Sequence, residues 1–156
     1  MPVFVIFDYR GIMANSNSCN LKITSHVINL DDNGKPDGSP EKDELSLTGS
    51  IAVDKGATTI TYKEEREGSS VLCEITIKKD SVIVRRRGDV SSDMLFSVGK
   101  PYKTLYNVPP FSFDMEINTL RIENDFEEFS GSLSLLYEMT VGGAKKRCRM
   151  KIIANN

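Results

Sequence analysis

His26 is the only imidazole in this chain, and it follows Ser25. A Ser–His–acid triad needs its nucleophile on a sharp turn, and no Gly-x-Ser-x-Gly segment supplies one. A single His also excludes zinc sites built on two or three imidazoles. Cys19, Cys73 and Cys148 lack Cys-x-x-Cys spacing, which argues against a zinc ribbon or a disulfide framework. Cys73 and Cys148 sit in apolar, strand-like runs and read as buried, inert thiols, whereas Cys19 lies in a polar segment and reads as exposed. Glu64-Glu65 and Glu127-Glu128 are adjacent carboxylates, and adjacent side chains on a strand face apart, so neither makes a glycosidase pair. Asp31, Asn33, Asp37 and Asp43 invite a calcium reading, but their spacing departs from the EF-hand register and a solvated loop is preferred. No glycine-rich phosphate loop is present. No catalytic residue, metal or cofactor is therefore expected, and the chain reads as non-enzymatic.

Basic residues concentrate in two places. Arg85 and Arg87 form one stripe of alternate positions; Arg147, Arg149 and Lys151 form another, opposite Cys148, Met150 and Ile152. Adjacent stripes would suit a phosphate backbone. The net charge of −2 and the lack of interleaved aromatics argue for solvated basic faces instead, so nucleic acid is disfavoured as a partner.

The elements that must position these residues follow a period of two. Leu45, Leu47, Gly49, Ile51 and Val53 alternate with polar partners or Ala52; Val71, Cys73, Ile75 and Ile77 alternate with mostly polar ones; Leu133, Leu135, Tyr137, Met139 and Val141 do the same. That pattern marks half-buried strands. Turn signals fall between the runs at Asp54-Lys55-Gly56, Glu67-Gly68-Ser69, Lys79-Asp80 and Gly142-Gly143. Strands are expected over 21–30, 45–53, 58–65, 71–78, 82–87, 94–98, 102–107, 115–123, 133–141 and 145–153, with a tight loop after 123 rather than a helical turn. No long helical pattern separates them, which makes a parallel βαβ sheet improbable. The expectation is one all-β domain, a single antiparallel barrel of about eight to ten strands closed or nearly closed so that its edges are removed. Residues 1–19 read as an N-terminal arm, disordered or non-native, and 20–156 as the barrel with a mobile loop at 31–43. That loop contains no apolar residue beyond its prolines.

Alternation carries charge inward. Ile60, Tyr62 and Glu64 share one face, as do Val82, Val84 and Arg86. An inward charge without a partner is costly, so Glu64 and Arg86 are expected to pair at or near one barrel end, as a structural plug or as an anchor for a polar ligand. Tyr102 and Tyr106 share a face, and Tyr62 and Tyr137 fall on core faces, where they pack or line a pocket.

The apolar start, Val3 to Phe7, is ended by Asp8 and Arg10 and lacks a basic leader. It reads as an extra strand or an arm; translation starting at Met13 is the other reading. No run is long enough for a membrane span. Unpaired cysteines and the lack of an export signal point to the cytoplasm.

Several short segments, in order, resemble the YwiB-like family, a bacterial domain of unknown function. They are Tyr62-Lys63-Glu64-Glu65, the run from Val82 ending in Arg87-Gly88, Met94-Leu95-Phe96 followed by Gly99, Leu105-Tyr106-Asn107-Val108-Pro109, and Gly131-Ser132-Leu133-Ser134-Leu135-Leu136-Tyr137. The resemblance spans residues 20–153 and implies a lipocalin-like, calycin-type β-barrel. After Pro109 the family tends to carry an aromatic and then Gly, where this chain has Pro110 and Phe111. The family has no assigned activity, so the resemblance implies a fold and little function. The leading expectation is a cytoplasmic binder of a small apolar or amphipathic ligand, with Tyr62, Glu64, Arg86, Tyr106 and Tyr137 as candidate contacts. The alternative is a structural or interaction module (a homodimer) with a core filled by Phe96, Tyr62, Leu135 and Tyr137.

Overall fold

Eleven strands make up the computed structural model, which describes the backbone of residues 3–7 and 13–156 and the side chains from Ser16 onward. They are β1 (Val3–Phe7), β2 (Met13–Leu30), β3 (Pro36–Asp54), β4 (Ala57–Arg66), β5 (Ser69–Ile77), β6 (Val82–Gly88), β7 (Ser91–Phe96), β8 (Tyr102–Val108), β9 (Phe111–Asn124), β10 (Gly131–Val141) and β11 (Ala144–Asn155). Among the described residues no helix interrupts them. Sequence neighbours from β2 to β11 pair antiparallel, and β11 returns to β2, which closes a ten-stranded barrel. β1 extends the β11 side of β2 at its lower end, pairing Val3 with Asn17. The proposed start at Met13 and the leader reading fall on residues that are largely outside the described ones.

Sharp reversal needs turns that match strand twist. Lys55-Gly56 and Glu67-Gly68 both place two successive residues at positive φ, the geometry of two-residue type I′ hairpins. The turns at 31–35, 67–68, 88–90, 109–110 and 142–143 share one end of the barrel, here the upper end. Below it the interior is packed. Ile51, Ile60, Ile75, Ile77, Val82, Phe96, Ile117, Leu133, Leu135 and Ile152 are fully buried, and Phe96 meets Tyr137 edge-on at 4.7 Å. Gly49 occupies an inward position of β3 where a Cβ would lie 2.6 Å from both Leu21 Cδ1 and the Thr61 carbonyl oxygen, so only glycine fits this approach.

Three expectations need correction. Residues 36–43 belong to β3: 41–43 and 36–37 pair with β2 on either side of a register shift, as in Val27↔Glu41 and Asn29↔Asp37, so the segment 31–43 is not a loop throughout. Main-chain pairing to a neighbouring strand holds this segment without apolar side chains. Asp31 closes the turn, its carboxylate accepting from the Asn33 and Lys35 amides at 2.8 and 2.9 Å. Second, the arm expected to run to residue 19 gives way to β2 from Met13, whose Ser16 pairs with Ala52. Third, Cys19 is buried rather than exposed, because it stands opposite Gly49 on the inward face. The tight loop after β9 is as expected: residues 125–130 turn without helix, closed by a Glu127–Ser130 bridge.

Candidate functional site: the upper mouth of the barrel

Alternation along β4, β6, β8 and β10 places Tyr62, Glu64, Arg86, Tyr106 and Tyr137 on the inward face, together with Tyr102. Two of these, Tyr62 and Tyr137, are buried beneath the mouth. The expected charge pair is present. Arg86 Nη2 donates to Glu64 Oε2 at 3.1 Å, and the side chains are 29% and 17% exposed, so the pair is largely but not wholly desolvated.

Glu64 is shared. Its Oε1 lies 3.0 Å from Arg66 Nε, and Arg66 continues to Asp43 with contacts of 2.6 and 3.2 Å. The chain Asp43–Arg66–Glu64–Arg86 therefore links β3, β4 and β6. It crosses a gap in the wall, because the β3–β4 ladder stops at Ser50↔Thr61 while both strands continue upward. The sequence reading missed Arg66 although the alternation of Ile60, Tyr62 and Glu64 runs on to it. It missed Asp43 because that residue lay in the segment read as loop.

Beneath the pair, the Arg86 guanidinium faces the Cys73 thiol and the Tyr62 hydroxyl. Burial works against the Arg86 charge, but Cys73 and Glu64 outweigh it and hold the guanidinium more firmly protonated than usual. Burial pushes both tyrosine hydroxyls above their ordinary range. Tyr137 faces Cys148, whose thiol burial pushes up to about 11. At the rim, bonding to Arg66 holds the Asp43 carboxyl below its ordinary value against a smaller effect of burial. Ser92, opposite both Arg86 and Tyr106 in register, carries a buried hydroxyl with no hydrogen-bond partner.

The opposite wall is apolar. Phe111 and Phe113 share the inward face of β9 with Met115 and Ile117, yet they extend past the end of β10 at Val141↔Met115. They are 63% and 39% exposed, with ring centroids 6.4 Å apart. Sequence reasoning stopped β9 at 115 and so passed over them.

The basic stripes face outward but do not meet. β6 and β11 are separated by four strands in either direction around the closed sheet. Arg85 pairs with Glu74 at 3.3 Å, Arg87 with Asp93 at 2.7 Å and Arg147 with Glu138 at 2.9 Å. Arg149 and Lys151 have no ion-pair partner among the described residues. An open groove of about 390 Å³ runs past them and Arg121. Among the described residues no group of three or more His, Cys, Asp or Glu could hold a metal ion, and no helix is long and apolar enough to cross a membrane.

Fold and site together define a class: a closed, ten-stranded antiparallel β-barrel with a packed interior and an ion-paired upper mouth. The chain belongs to the family described as Domain of unknown function (DUF1934), whose model matches residues 23–152. It is 28% identical over 120 residues to the "Uncharacterized beta-barrel protein YwiB" of Bacillus subtilis (strain 168), covering 77% of this chain and 82% of that protein. A crystal structure of the ywiB protein from Bacillus subtilis superposes with a TM-score of 0.75 at 21% identity, covering 90% of this chain and 94% of that one. The family is the one that the segments from Tyr62 to Tyr137 resemble.

Proposed function

We propose that the protein is a non-enzymatic, cytoplasmic binder of a small amphipathic molecule, working as a calycin-type barrel through its upper mouth. The observation that carries this reading is the pair of exposed inward aromatics, Phe111 and Phe113, standing across the barrel from the Glu64–Arg86 pair. Large aromatic surface left in water is costly at roughly 25 cal/mol per Å², and a mouth with one apolar and one polar wall matches an amphipathic guest. Phe96, Tyr62, Leu135 and Tyr137 fill the barrel below. A filled interior supports a ligand site in the mouth rather than in a deep lumen, with Tyr106 on its apolar side and Arg86 beneath. Native mass spectrometry of protein purified from its own host tests the reading: a co-purified small molecule, lost in a Phe111→Ser/Phe113→Ser double variant, supports it. An empty protein that also takes up no neutral apolar dye would sink it.

The filled core favours a second reading, an interaction module in which Phe111 and Phe113 are covered by another copy of the chain. Sedimentation separates the two, because a dimer that dissociates in the same double variant supports the module.

A further inference from the structure

Three neighbouring cations open β11, and strand alternation sorts them. Lys145 and Arg147 point outward and both reach Glu138, at 3.7 and 2.9 Å. Lys146 shares the inward side with Cys148, stands opposite Met139 on β10 and Asn29 on β2, and is half-buried. Its ammonium is near enough to favour the Cys148 thiolate. Tyr137, the cross-strand partner of Cys148, also lies within the field of Arg86. Lys146 and Arg86 thus flank the Tyr137–Cys148 pair at the base of the mouth.

The charges facing the mouth are not all paired with one another. Asp43 and Glu64 are engaged by Arg66 and Arg86. Lys146 has no carboxylate within ion-pair distance among the described residues. Two further carboxylates share this face, Asp37 opposite Asn29 and Glu41 opposite Val27; both are exposed on the projecting β2–β3 hairpin, and β2 separates them from β11. An anion brought to Lys146, a half-buried residue in the same inward row as Met139, would form a charge-assisted contact with its ammonium.

We infer that the occupant of the mouth is an amphipathic anion, its carboxylate or phosphate head held by Lys146 and its apolar body lying on Met139, Phe113 and Phe111. This rests on the proposed ligand site and adds the chemical class of the ligand.

The test uses the full chain and a displaceable neutral apolar dye. Competitors are one alkyl chain ending in turn in a carboxylate, a phosphate monoester, an alcohol and an ammonium group. The carboxylate or the phosphate is expected to bind roughly tenfold more tightly than the alcohol, the range of a charge-assisted contact, and the ammonium more weakly still. The tighter of the two anions distinguishes the head group. Lys146→Met should erase the anion preference while leaving the alcohol unchanged, and Lys146→Arg should keep it. Equal binding of anion and alcohol, or a preference that survives Lys146→Met, overturns the anion assignment while the binding site stands. Failure of the dye and every competitor to bind overturns both.

Discussion

Cys148 shows how one buried group ties packing to pH. Its thiol is pushed up to about 11 by burial, from an ordinary value of 9.0. A raised pKa means that the folded state holds the proton more tightly. The stabilisation is fully present below the unfolded value and is lost as pH climbs through the folded one. Stability should therefore fall from about pH 9 upward, with the Cys19 thiol raised by burial in the same sense and the buried hydroxyls of Tyr62 and Tyr137 adding to the decline from their ordinary value of 10.0. Urea midpoints measured across that window check this. Cys148→Ala should flatten the first part of the decline, and a wild-type midpoint that stays level to pH 11 would contradict it. Asp43 works in the opposite sense. Its pKa is lowered by Arg66, so its contribution is present above the unfolded carboxylate value and fades as pH falls through the folded one. It is about half exposed, so solvent screens the pair and the acid limb should be the shallower.

At the scale of elements, the long β2–β3 hairpin is stabilised by main-chain pairing, and its turn is closed by one carboxylate. Asp31 accepts from two backbone amides in the turn. Asp31→Ala should destabilise the tip by about 1 kcal/mol. Hydrogen exchange would show this as faster exchange of the amides at 35–42, with the β10–β11 ladder unchanged. Uniform loss of protection across the barrel would mean instead that the tip and the barrel unfold together. This hairpin also marks what the sequence could and could not reveal. β4, β5 and β10 were legible because Ile60, Ile75 and Leu135 recur every second residue against polar partners. That same alternation carried Glu64 and Arg86 inward and so foretold their pair. Residues 36–43 offered no such contrast, since strand pairing there depends on backbone groups that every residue carries. Missing that strand concealed Asp43, and with it the continuation of the charged chain through Arg66. Phe111 and Phe113 were hidden by a boundary placed at 115. Lys146 was masked by the outward pair on either side of it.

At the scale of the whole molecule, closure decides how the charge can act. Strand alternation alone would allow Arg85 and Arg87 to join Arg147, Arg149 and Lys151 in one basic track. In a closed ring that has four strands between β6 and β11 on either side, they face opposite directions. One polyanion lying on a wall meets only one stripe. Acidic neighbours then occupy Arg85, Arg87 and Arg147, which leaves Arg149 and Lys151 to neutralise phosphates beside the groove on β10 and β11. Each phosphate neutralised contributes about −0.7 to the salt slope for a single strand. Binding of single-stranded RNA, if measurable at low salt, should therefore show a slope of about −1.4 and fall to background near physiological salt. Arg149→Ser with Lys151→Ser should abolish it, while Arg85→Ser with Arg87→Ser should leave it unchanged. A slope several times steeper, or sensitivity to both pairs of substitutions, would require the two walls to be bridged by one strand or by two copies of the protein. Fluorescence anisotropy with a short labelled RNA across a salt series gives the slope directly.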